Sequence, residues 1–190
     1  MARIIAGEGK GRRLKAPKGL TTRPTAARVR QTLFDILAPW LPGCRFLDVF
    51  AGAGAVGLEA LSRGASRVVL VDASAGAVAA LRANAAALAH AGGEVRIVRQ
   101  DARAALAAFA DAQDRFDVVY VDPPYAGDLY EPVLARASGL LAEDGVVVAE
   151  HFHKRALPER IGALTRTREV RVGDHRLSFY RRQQESAPQT

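Results

Sequence analysis

The chain has 190 residues, of which 49% are hydrophobic, and a formal net charge of +7, which suits a single α/β domain with at most a small appendage. No apolar run approaches the roughly 20 residues of a membrane span, the first residues lack the hydrophobic stretch of a signal peptide, and Cys44 is the only cysteine. These features argue against a membrane protein, an internal disulfide and a thiolate metal cluster, and they predict a cytoplasmic protein.

The basic residues are concentrated toward the two ends of the chain. Residues 1–30 hold nine Lys or Arg and one acid, and residues 151–182 hold nine Lys or Arg and three acids. The stretch between them, residues 31–150, holds nine basic and fifteen acidic residues. Two basic ends favour a polyanionic partner, most often nucleic acid. A solvated basic surface is the alternative.

The first predicted element is a basic arm over residues 1–24. Its segments RIIAG and RRLKAP can pair as a short hairpin around EGKG. Three glycines predict a flexible tip, and three basic side chains lie on it. These residues are Gly7, Gly9, Gly11, Lys10, Arg12 and Arg13. Because a flexible cationic tip suits a curved phosphate backbone, we expect the arm to contact nucleic acid.

A helix is predicted next, with Thr25 as its N-cap and its end at Pro39. Short apolar strands then alternate with helical segments, which predicts βαβ units and a mainly parallel sheet. The strands are CRFLDVF, RVVLVD, EVRIV, FDVVYVD and GVVVAE, and the helices are AVGLEALSR, AGAVAALRANAAALAHA, RAALAAFA and YEPVLARASGLL. At the end of the chain, LTRTREVRV and HRLSFYRR predict an antiparallel hairpin joined by Gly173 and Asp174, which makes seven strands. The polar residues 183–190 predict a disordered tail.

A glycine-rich loop follows the first strand of this pattern. In LDVFAGAGAVG, Gly52, Gly54 and Gly57 match G-x-G-x-x-G between a strand and a helix. The first two glycines allow the backbone to approach a ligand closely, and the third allows the helix to pack on the strand. Asp72 ends the second strand about 20 residues later, where an acid can bind ribose hydroxyls. A nicotinamide dinucleotide and S-adenosylmethionine both fit this pattern, and a merely tight turn is the structural alternative.

Asp48 favours one of these two cofactors. It lies four residues before Gly52, and a loop that cradles pyrophosphate gains nothing from a neighbouring carboxylate. S-adenosylmethionine has no phosphate and carries an ammonium and a sulfonium, so an acid beside the loop is favourable. Asp101 follows the third strand, where its side chain can reach the adenine amine. An N-cap role for helix 102–110 is the alternative for Asp101, and both roles can hold together.

The sequence VDPPY at residues 121–125 ends the fourth strand abruptly, because proline has no N–H and a fixed φ. Ligands of doubly wound sheets bind beyond the carboxyl ends of the strands, where Asp122 now follows three other strand-end aspartates. The Asp122 carboxylate and the Pro123 carbonyl can accept both hydrogens of one exocyclic amine, and Tyr125 can stack on the base that carries it. A strand stop followed by a loop tyrosine is the alternative.

The DPPY sequence resembles the [DN]-P-P-[FYW] motif of S-adenosylmethionine-dependent methyltransferases that act on exocyclic amines of nucleobases. Together with TRPTAARVRQTLFDIL and LDVFAGAGAVGLEALSRGA, it makes residues 3–181 resemble the bacterial 16S rRNA guanine-N2 methyltransferase family, the RsmD family. The resemblance implies a class I, Rossmann-like methyltransferase domain over residues 25–182. It also implies S-adenosylmethionine as cofactor and 16S rRNA, free or in the small ribosomal subunit, as partner of a monomer.

The resemblance also implies roles for individual residues. The residues expected to bind the methionine part of the cofactor are Asp48, Phe50, Ala51, Gly52 and Gly54. Asp72 and Ala73 are expected to bind the ribose, and Asp101 and Ala102 the adenine. The residues expected to bind the guanine and promote methyl transfer are Asp122, Pro123, Pro124 and Tyr125. The candidate RNA contacts are Lys10, Arg12, Arg13, Arg23, Arg28 and Arg30.

Three other functions remain open from the residues alone. The same machinery could act on adenine in DNA or on guanine in 23S rRNA. The glycine motif alone is compatible with a nicotinamide-dependent reductase, and the basic ends alone with a non-catalytic RNA-binding module. We expect no metal, and we interpret His151 and His153 as surface or RNA-facing side chains rather than ligands.

Overall fold

The computed structural model of the protein describes residues 2–16, 27–124 and 128–183. Within these residues, eight strands form one sheet in the order β3-β2-β1-β4-β5-β8-β7-β6. Its parallel part comprises β1 (Arg45–Asp48), β2 (Arg67–Asp72), β3 (Glu94–Arg99), β4 (Phe116–Val121) and β5 (Leu141–Phe152). The chain order reverses on either side of β1, so the gap between β1 and β4 is the switch point at which doubly wound sheets bind ligands.

The other strands pair antiparallel at one edge, as predicted: β8 (His175–Arg182) lies between β5 and β7 (Leu164–Val172). The predicted number of seven strands is wrong by one. The additional strand, β6 (Arg160–Ile161), has two residues and pairs with β7 across a turn at Gly162. Two residues are too few to display the alternation that identifies a strand in a sequence.

Five α-helices cover the two faces of the sheet in the described part of the chain. They are α1 (Ala27–Leu37), α2 (Gly57–Ser62), α3 (Ala75–Ala86), α4 (Ala102–Asp111) and α5 (Tyr130–Ala137). One buried cluster packs α1, α2 and α3 on the face that includes Phe46, and a second packs α4 and α5 on the face that includes Leu47. Successive residues of β1 thus supply opposite cores, as strand periodicity requires.

Three helix ends differ from the predicted ones, and each is followed by a 3-10 turn. The helix predicted over residues 130–141 ends at Ala137 and is followed by the turn Ser138–Leu140. The α1 helix ends at Leu37 and continues as a 3-10 turn, Ala38–Trp40, that contains Pro39. The long predicted helix over residues 75–91 ends at Ala86 and is followed by a separate 3-10 turn, Ala89–Ala91. The predicted N-cap, Thr25, lies outside the described residues. None of the described helices is long and apolar enough to cross a membrane.

The basic arm packs on α2 through its backbone. Ile4 and Leu14 are buried in the same core as α1 to α3. The predicted hairpin forms around an antiparallel bridge between Arg3 and Arg13, with backbone hydrogen bonds from Ile4 to Arg12 at 3.0 Å and from Leu14 to Ala2 at 2.9 Å. A side chain on Gly7 would place its Cβ 1.7 Å from the backbone oxygen of Ser62.

The expectation of a flexible tip is therefore wrong for the first two glycines. A Cβ on Gly9 would lie 2.3 Å from a methyl of Leu88, and the Gly9 N–H donates to Ser62 Oγ at 2.8 Å. Gly7 and Gly9 thus permit close packing, whereas Gly11, with φ of 83°, faces open space. Of the predicted tail over residues 183–190, Gln183 is described, and its N–H donates to the backbone oxygen of Ala163 at 3.2 Å. The division of the chain at residue 24 and the rest of the tail lie outside the described residues and stay predictions.

Candidate cofactor and substrate site

A pocket of about 410 Å³ opens at the carboxyl ends of the parallel strands. Its wall consists of Val49, Phe50, Asp72, Ala73, Ser74, Gln100, Asp101, Ala102, Asp122, Pro124 and Leu129. Seven of the predicted site residues therefore meet in one wall. Outside the wall lie Asp48, Ala51, Gly52, Gly54 and Pro123, and Tyr125 lies outside the described residues.

Asp72 fixes the glycine loop and still faces the pocket. Its Oδ2 accepts a hydrogen bond from the Gly52 N–H at 2.9 Å, and its Oδ1 accepts one from the Ser74 N–H at 2.8 Å. A carboxylate oxygen has two acceptor sites, so each oxygen keeps one for a ligand hydroxyl. Gly52 has φ of 54°, a left-handed conformation that favours glycine.

The other two glycines of the motif serve packing. A Cβ on Gly57 would lie 2.2 Å from a methyl of Leu70 on β2, so this glycine allows α2 to pack on the sheet, as predicted. Gly54 has φ of 85°, and its Cβ would lie 2.8 Å from a methyl of Leu81 on α3. The Gly54 position is therefore directed at the helices, rather than at the pocket.

Asp48 lies beneath the loop, where it is 2% exposed. Its Oδ2 accepts a hydrogen bond from the Gly57 N–H at 3.1 Å, whereas its Oδ1 has no hydrogen-bond partner among the described residues. Burial raises the pKa of Asp48 to about 7, against the opposing effect of the Gly57 hydrogen bond and with a further increase from the charge of Asp72. A cation bound nearby would favour the ionised form.

The raised pKa of Asp48 predicts how stability changes with pH. Because the folded-state pKa lies above the unfolded one, the contribution of Asp48 to stability is fully present below about pH 4 and is lost as the pH rises through about 7. Between pH 5 and pH 8 the free energy of unfolding should fall by roughly 2–3 kcal/mol relative to Asp48→Asn, which cannot ionise. Urea unfolding of both cofactor-free proteins at the two pH values measures this difference. Parallel pH dependences would contradict it.

Asp101 caps α4, which is the alternative that its position in the sequence left open. Its Oδ1 accepts hydrogen bonds from the N–H groups of Arg103 at 3.0 Å and Ala104 at 3.4 Å. The side chain is also 59% exposed and belongs to the pocket wall. Capping and contact with a ligand are therefore compatible for this carboxylate.

The DPP turn leaves β4 at the switch point. Strand β4 ends at Val121, after which Asp122 and Pro124 enter the pocket wall and Pro123 is buried. Tyr120, two residues earlier, is paired with Asp48 in the register of β1 and β4. The register therefore places Asp122 beside the strand end that carries Asp48.

A buried polar network lies behind this turn. The Tyr120 hydroxyl donates to the carboxylate of Glu150, which is fully buried on β5. His175 on β8 has its Nδ1 2.7 Å from the other oxygen of that carboxylate, a contact that is attractive when Nδ1 carries the proton. Burial, followed by the charge of Glu150, raises the pKa of Tyr120 well above its usual value, so the phenol stays a donor. This network was not predicted.

Four pocket residues were also missed: Val49, Ser74, Gln100 and Leu129. A local signal existed for Ser74, because a serine directly before an apolar helix is a typical N-cap. Ser74 does cap α3, through a hydrogen bond from the Ala77 N–H at 3.4 Å. Gln100 directly follows β3 and precedes Asp101. Its position at the carboxyl end of a parallel strand could have indicated that it lines the pocket.

The interpretation of His151 as a surface residue is wrong. His151 is 1% exposed, and its Nε2 lies 2.9 Å from Ser178 Oγ. Burial lowers the pKa of His151, which favours the neutral ring. His153 is partly exposed and contacts the backbone oxygen of Asp174 at 3.0 Å. Across residues 2–16, 27–124 and 128–183, no cluster of three or more His, Cys, Asp or Glu could hold a metal ion.

The candidate RNA contacts divide by exposure. Exposed are Lys10, Arg12, Arg13 and Arg28. Arg30 is 2% exposed and donates from its guanidinium to the backbone oxygen of Arg3 at 2.6 Å. The prediction that Arg30 contacts RNA is therefore wrong, because its guanidinium is buried and hydrogen-bonded to the arm. Arg23 lies outside the described residues.

Comparison with known proteins extends over nearly the whole chain. Residues 2–181 match a family described as conserved hypothetical protein 95. The Bacillus subtilis protein YlbH, a candidate rRNA methyltransferase, is 37% identical over 182 residues, which cover 95% of this chain and 98% of that protein. Ribosomal RNA small subunit methyltransferase D of Escherichia coli K12 is 36% identical over 183 residues, with 95% and 90% covered. The structure of yhhF from Escherichia coli superimposes with a TM-score of 0.82 at 32% identity, covering 97% and 99% of the two chains.

Proposed function

We propose that this chain, which belongs to the RsmD family described as conserved hypothetical protein 95, is an S-adenosylmethionine-dependent rRNA methyltransferase that modifies the exocyclic N2 amine of a guanine in 16S rRNA. The membership supports methyl transfer to rRNA, and the small-subunit name of the Escherichia coli relative supports 16S rRNA. The N2 amine is supported by the DPP turn and its carbonyl.

The observation that carries the proposal is the meeting of three carboxylates in one pocket. Asp72, Asp101 and Asp122 all belong to its wall, and Asp48 lies buried behind the loop. A pyrophosphate would bring negative charge to this acidic wall, which Coulomb repulsion disfavours. The sulfonium and ammonium of S-adenosylmethionine suit it, so the residues fit this cofactor better than a nicotinamide dinucleotide.

The roles of the chain's own residues follow from this fit. S-adenosylmethionine supplies an electrophilic methyl group. The free acceptor sites on Asp72 would bind the ribose hydroxyls, and Asp101 would accept from the adenine amine. The Gly52 backbone, with Phe50 and Ala51, would hold the methionine end, whereas Gly54 would serve packing against the helices.

The DPP turn would orient the nucleophile. The N2 amine of guanine is a poor nucleophile because its lone pair is shared with the ring. Hydrogen bonds from its two hydrogens to the Asp122 carboxylate and the Pro123 carbonyl would localise that lone pair and aim it at the methyl group. Formation of the N2–methyl bond would break the sulfur–methyl bond and leave S-adenosylhomocysteine, and Asp122 would be placed to take the proton that the methylated amine loses. Tyr125 would stack on the base, as for a nucleotide taken out of its stack.

The test is methyl transfer from labelled S-adenosylmethionine to four substrates: free 16S rRNA, small ribosomal subunits, free 23S rRNA and DNA. We expect label in one of the two 16S substrates, recovered as N2-methylguanosine after digestion to nucleosides. Label in 23S rRNA or as N6-methyladenine in DNA would overturn the proposed substrate. Binding of NAD without binding of S-adenosylmethionine would overturn the proposed chemistry.

We further propose that the protein is a cytoplasmic monomer. Gel filtration and light scattering test the oligomeric state.

The basic arm predicts the salt dependence of RNA binding. The exposed Lys10, Arg12 and Arg13 can each neutralise a phosphate, and each neutralised phosphate steepens the log–log salt dependence of binding by roughly 0.7–0.9. Replacing all three by Ala should weaken RNA binding and flatten that slope by about 2–3 units, while S-adenosylmethionine affinity stays the same. Filter binding of 16S rRNA at a series of salt concentrations measures the slope.

A control variant with the same loss of charge separates the arm from general electrostatics. Arg82, Arg115 and Arg136 are exposed on other parts of the surface, and their combined change to Ala should leave the slope close to wild type. An unchanged slope in the arm variant would show that the arm does not contact phosphate. The basic strands β7 and β8 would then be the better candidate.

A further inference from the structure

One buried side chain joins the arm to the cofactor loop. Asn84 lies on α3 and is 3% exposed. Its Oδ1 accepts a hydrogen bond from the Lys15 N–H at 2.8 Å, and its Nδ2 donates to the Lys15 backbone oxygen at 3.0 Å. The same Nδ2 donates to the backbone oxygen of Ala53 at 2.9 Å. A single amide thus contacts two segments that are far apart in the chain.

The two segments meet different ligands in the proposed function. Ala53 lies between Gly52, whose N–H is held by Asp72, and Gly54, whose φ is positive. Lys15 lies two residues after Arg13, the last of the basic tip residues, and Leu14 between them is buried in the core. The arm is the proposed RNA contact, and the loop is the proposed contact for the methionine end of the cofactor.

The amide of Asn84 uses both of its donor hydrogens and one oxygen in these bonds. It is buried, so water cannot readily replace a lost partner, and an unsatisfied buried amide is costly. Movement of either Lys15 or Ala53 away from its observed position would break at least one of the three bonds. The amide therefore favours the arrangement in which both segments are in place.

From this geometry we infer that Asn84 is a positioning residue that couples the two ligands, so that RNA on the arm strengthens cofactor binding at the loop. The inference rests on the proposed function. RNA that holds the arm stabilises the position of Lys15, which through Asn84 stabilises the position of the Ala53 carbonyl and the loop around it. Linkage requires the reverse effect to be equal, so the cofactor must strengthen RNA binding by the same factor.

The experiment measures the dissociation constant of S-adenosylhomocysteine, which binds without turnover, by equilibrium dialysis with labelled compound. It is measured with the full chain alone and with saturating 16S rRNA transcript. For wild type we expect the rRNA to lower the constant by roughly fivefold or more. The affinity for rRNA, measured with and without S-adenosylhomocysteine, should change by the same factor.

Three variants locate the coupling. The coupling is the ratio of the S-adenosylhomocysteine dissociation constant without rRNA to that with rRNA. In Asn84→Ala this ratio should fall close to one. Asn84→Asp keeps the acceptor for the Lys15 N–H but loses both donors, so its ratio should also fall. Val78→Ala removes buried volume from the same helix without touching either segment's hydrogen bonds, so it controls for lost stability and should keep the wild-type ratio.

Each outcome bears on the inference. A wild-type ratio of one, with both ligands bound, would overturn the coupling and leave the proposed function intact. A wild-type ratio retained in both Asn84 variants would assign the coupling to another contact and overturn the role of Asn84. Failure of wild type to bind S-adenosylhomocysteine or rRNA at all would overturn the proposed function, and the inference with it.

Discussion

Asp122→Ala is expected to lower the rate of methyl transfer by about two to three orders of magnitude, with little change in affinity for S-adenosylmethionine. Asp122 belongs to the pocket wall on the turn that leaves β4, whereas Asp72 ends β2 and Asp101 follows β3, on the other side of β1. Loss of one preorganised hydrogen-bonding group that acts on the reacting atoms typically costs about 10²–10³ in rate. The rest of the pocket would still bind the cofactor.

Single-turnover transfer to 16S rRNA, together with calorimetric binding of S-adenosylmethionine, separates these two quantities. Asp122→Asn keeps one acceptor oxygen and should fall between wild type and Asp122→Ala. Asp111→Ala removes an exposed carboxylate at the end of α4 and should leave the rate unchanged. Near-normal turnover in Asp122→Ala would show that the amine is oriented by other groups.

Glu59→Ala is expected to lower the free energy of unfolding by about 3–5 kcal/mol, the usual cost of removing one partner from a buried charged pair. Glu59 on α2 is fully buried. Its carboxylate accepts from the N–H groups of Ile5 at 2.7 Å and Ala6 at 2.9 Å, and from Arg63 Nε at 2.8 Å. The variant would leave the three part-buried donors without this partner, and it would remove two of the hydrogen bonds that hold the arm on α2.

Urea unfolding followed by circular dichroism measures this loss. Glu59→Gln keeps the size and one acceptor oxygen and should be less destabilising than Glu59→Ala. Glu94→Ala removes a carboxylate that is 65% exposed and should change stability by less than about 1 kcal/mol. A loss of less than about 1 kcal/mol in Glu59→Ala would mean that the arm is held chiefly by the apolar contacts of Ile4 and Leu14.

The sheet and the pocket could be predicted because both depend on short-range patterns. The β1 sequence alternates between two cores, and buried parallel strands give continuous apolar runs. Once the strands are parallel, the fold itself brings the residues that follow them to one edge. Asp72, Asp101 and Asp122 meet in one pocket for that reason, although they are far apart in the sequence.

The role of Arg30 was misjudged because charge was given more weight than spacing. Arg30 precedes Leu33 and Phe34 by three and four residues, so it lies on the buried face of α1. The local pattern contained this signal, but a basic residue in a basic stretch was interpreted as an RNA contact. Burial of the guanidinium is compatible with its bond to the backbone oxygen of Arg3.

The side chains that join distant segments could not be predicted. Asn84 meets Lys15 across 69 positions, and Tyr120 meets Glu150 across 30. No local pattern specifies such partners, since an asparagine in an Ala-rich helix and a glutamate at a strand end each have many possible roles. Only the packing of α3 against the arm, and of β4 against β5, determines them.

The arm is attached to the rest of the protein in a way that leaves its outward side chains free to vary. On the arm's side, the anchoring hydrogen bonds are made by backbone groups of Ile5, Ala6, Gly9 and Lys15, which every residue except proline can supply. The outward side chains at positions 10, 12 and 13 contribute nothing to those bonds. In the proposed function, they can therefore be exchanged during evolution, or by an engineer, to direct the same pocket to a different RNA surface.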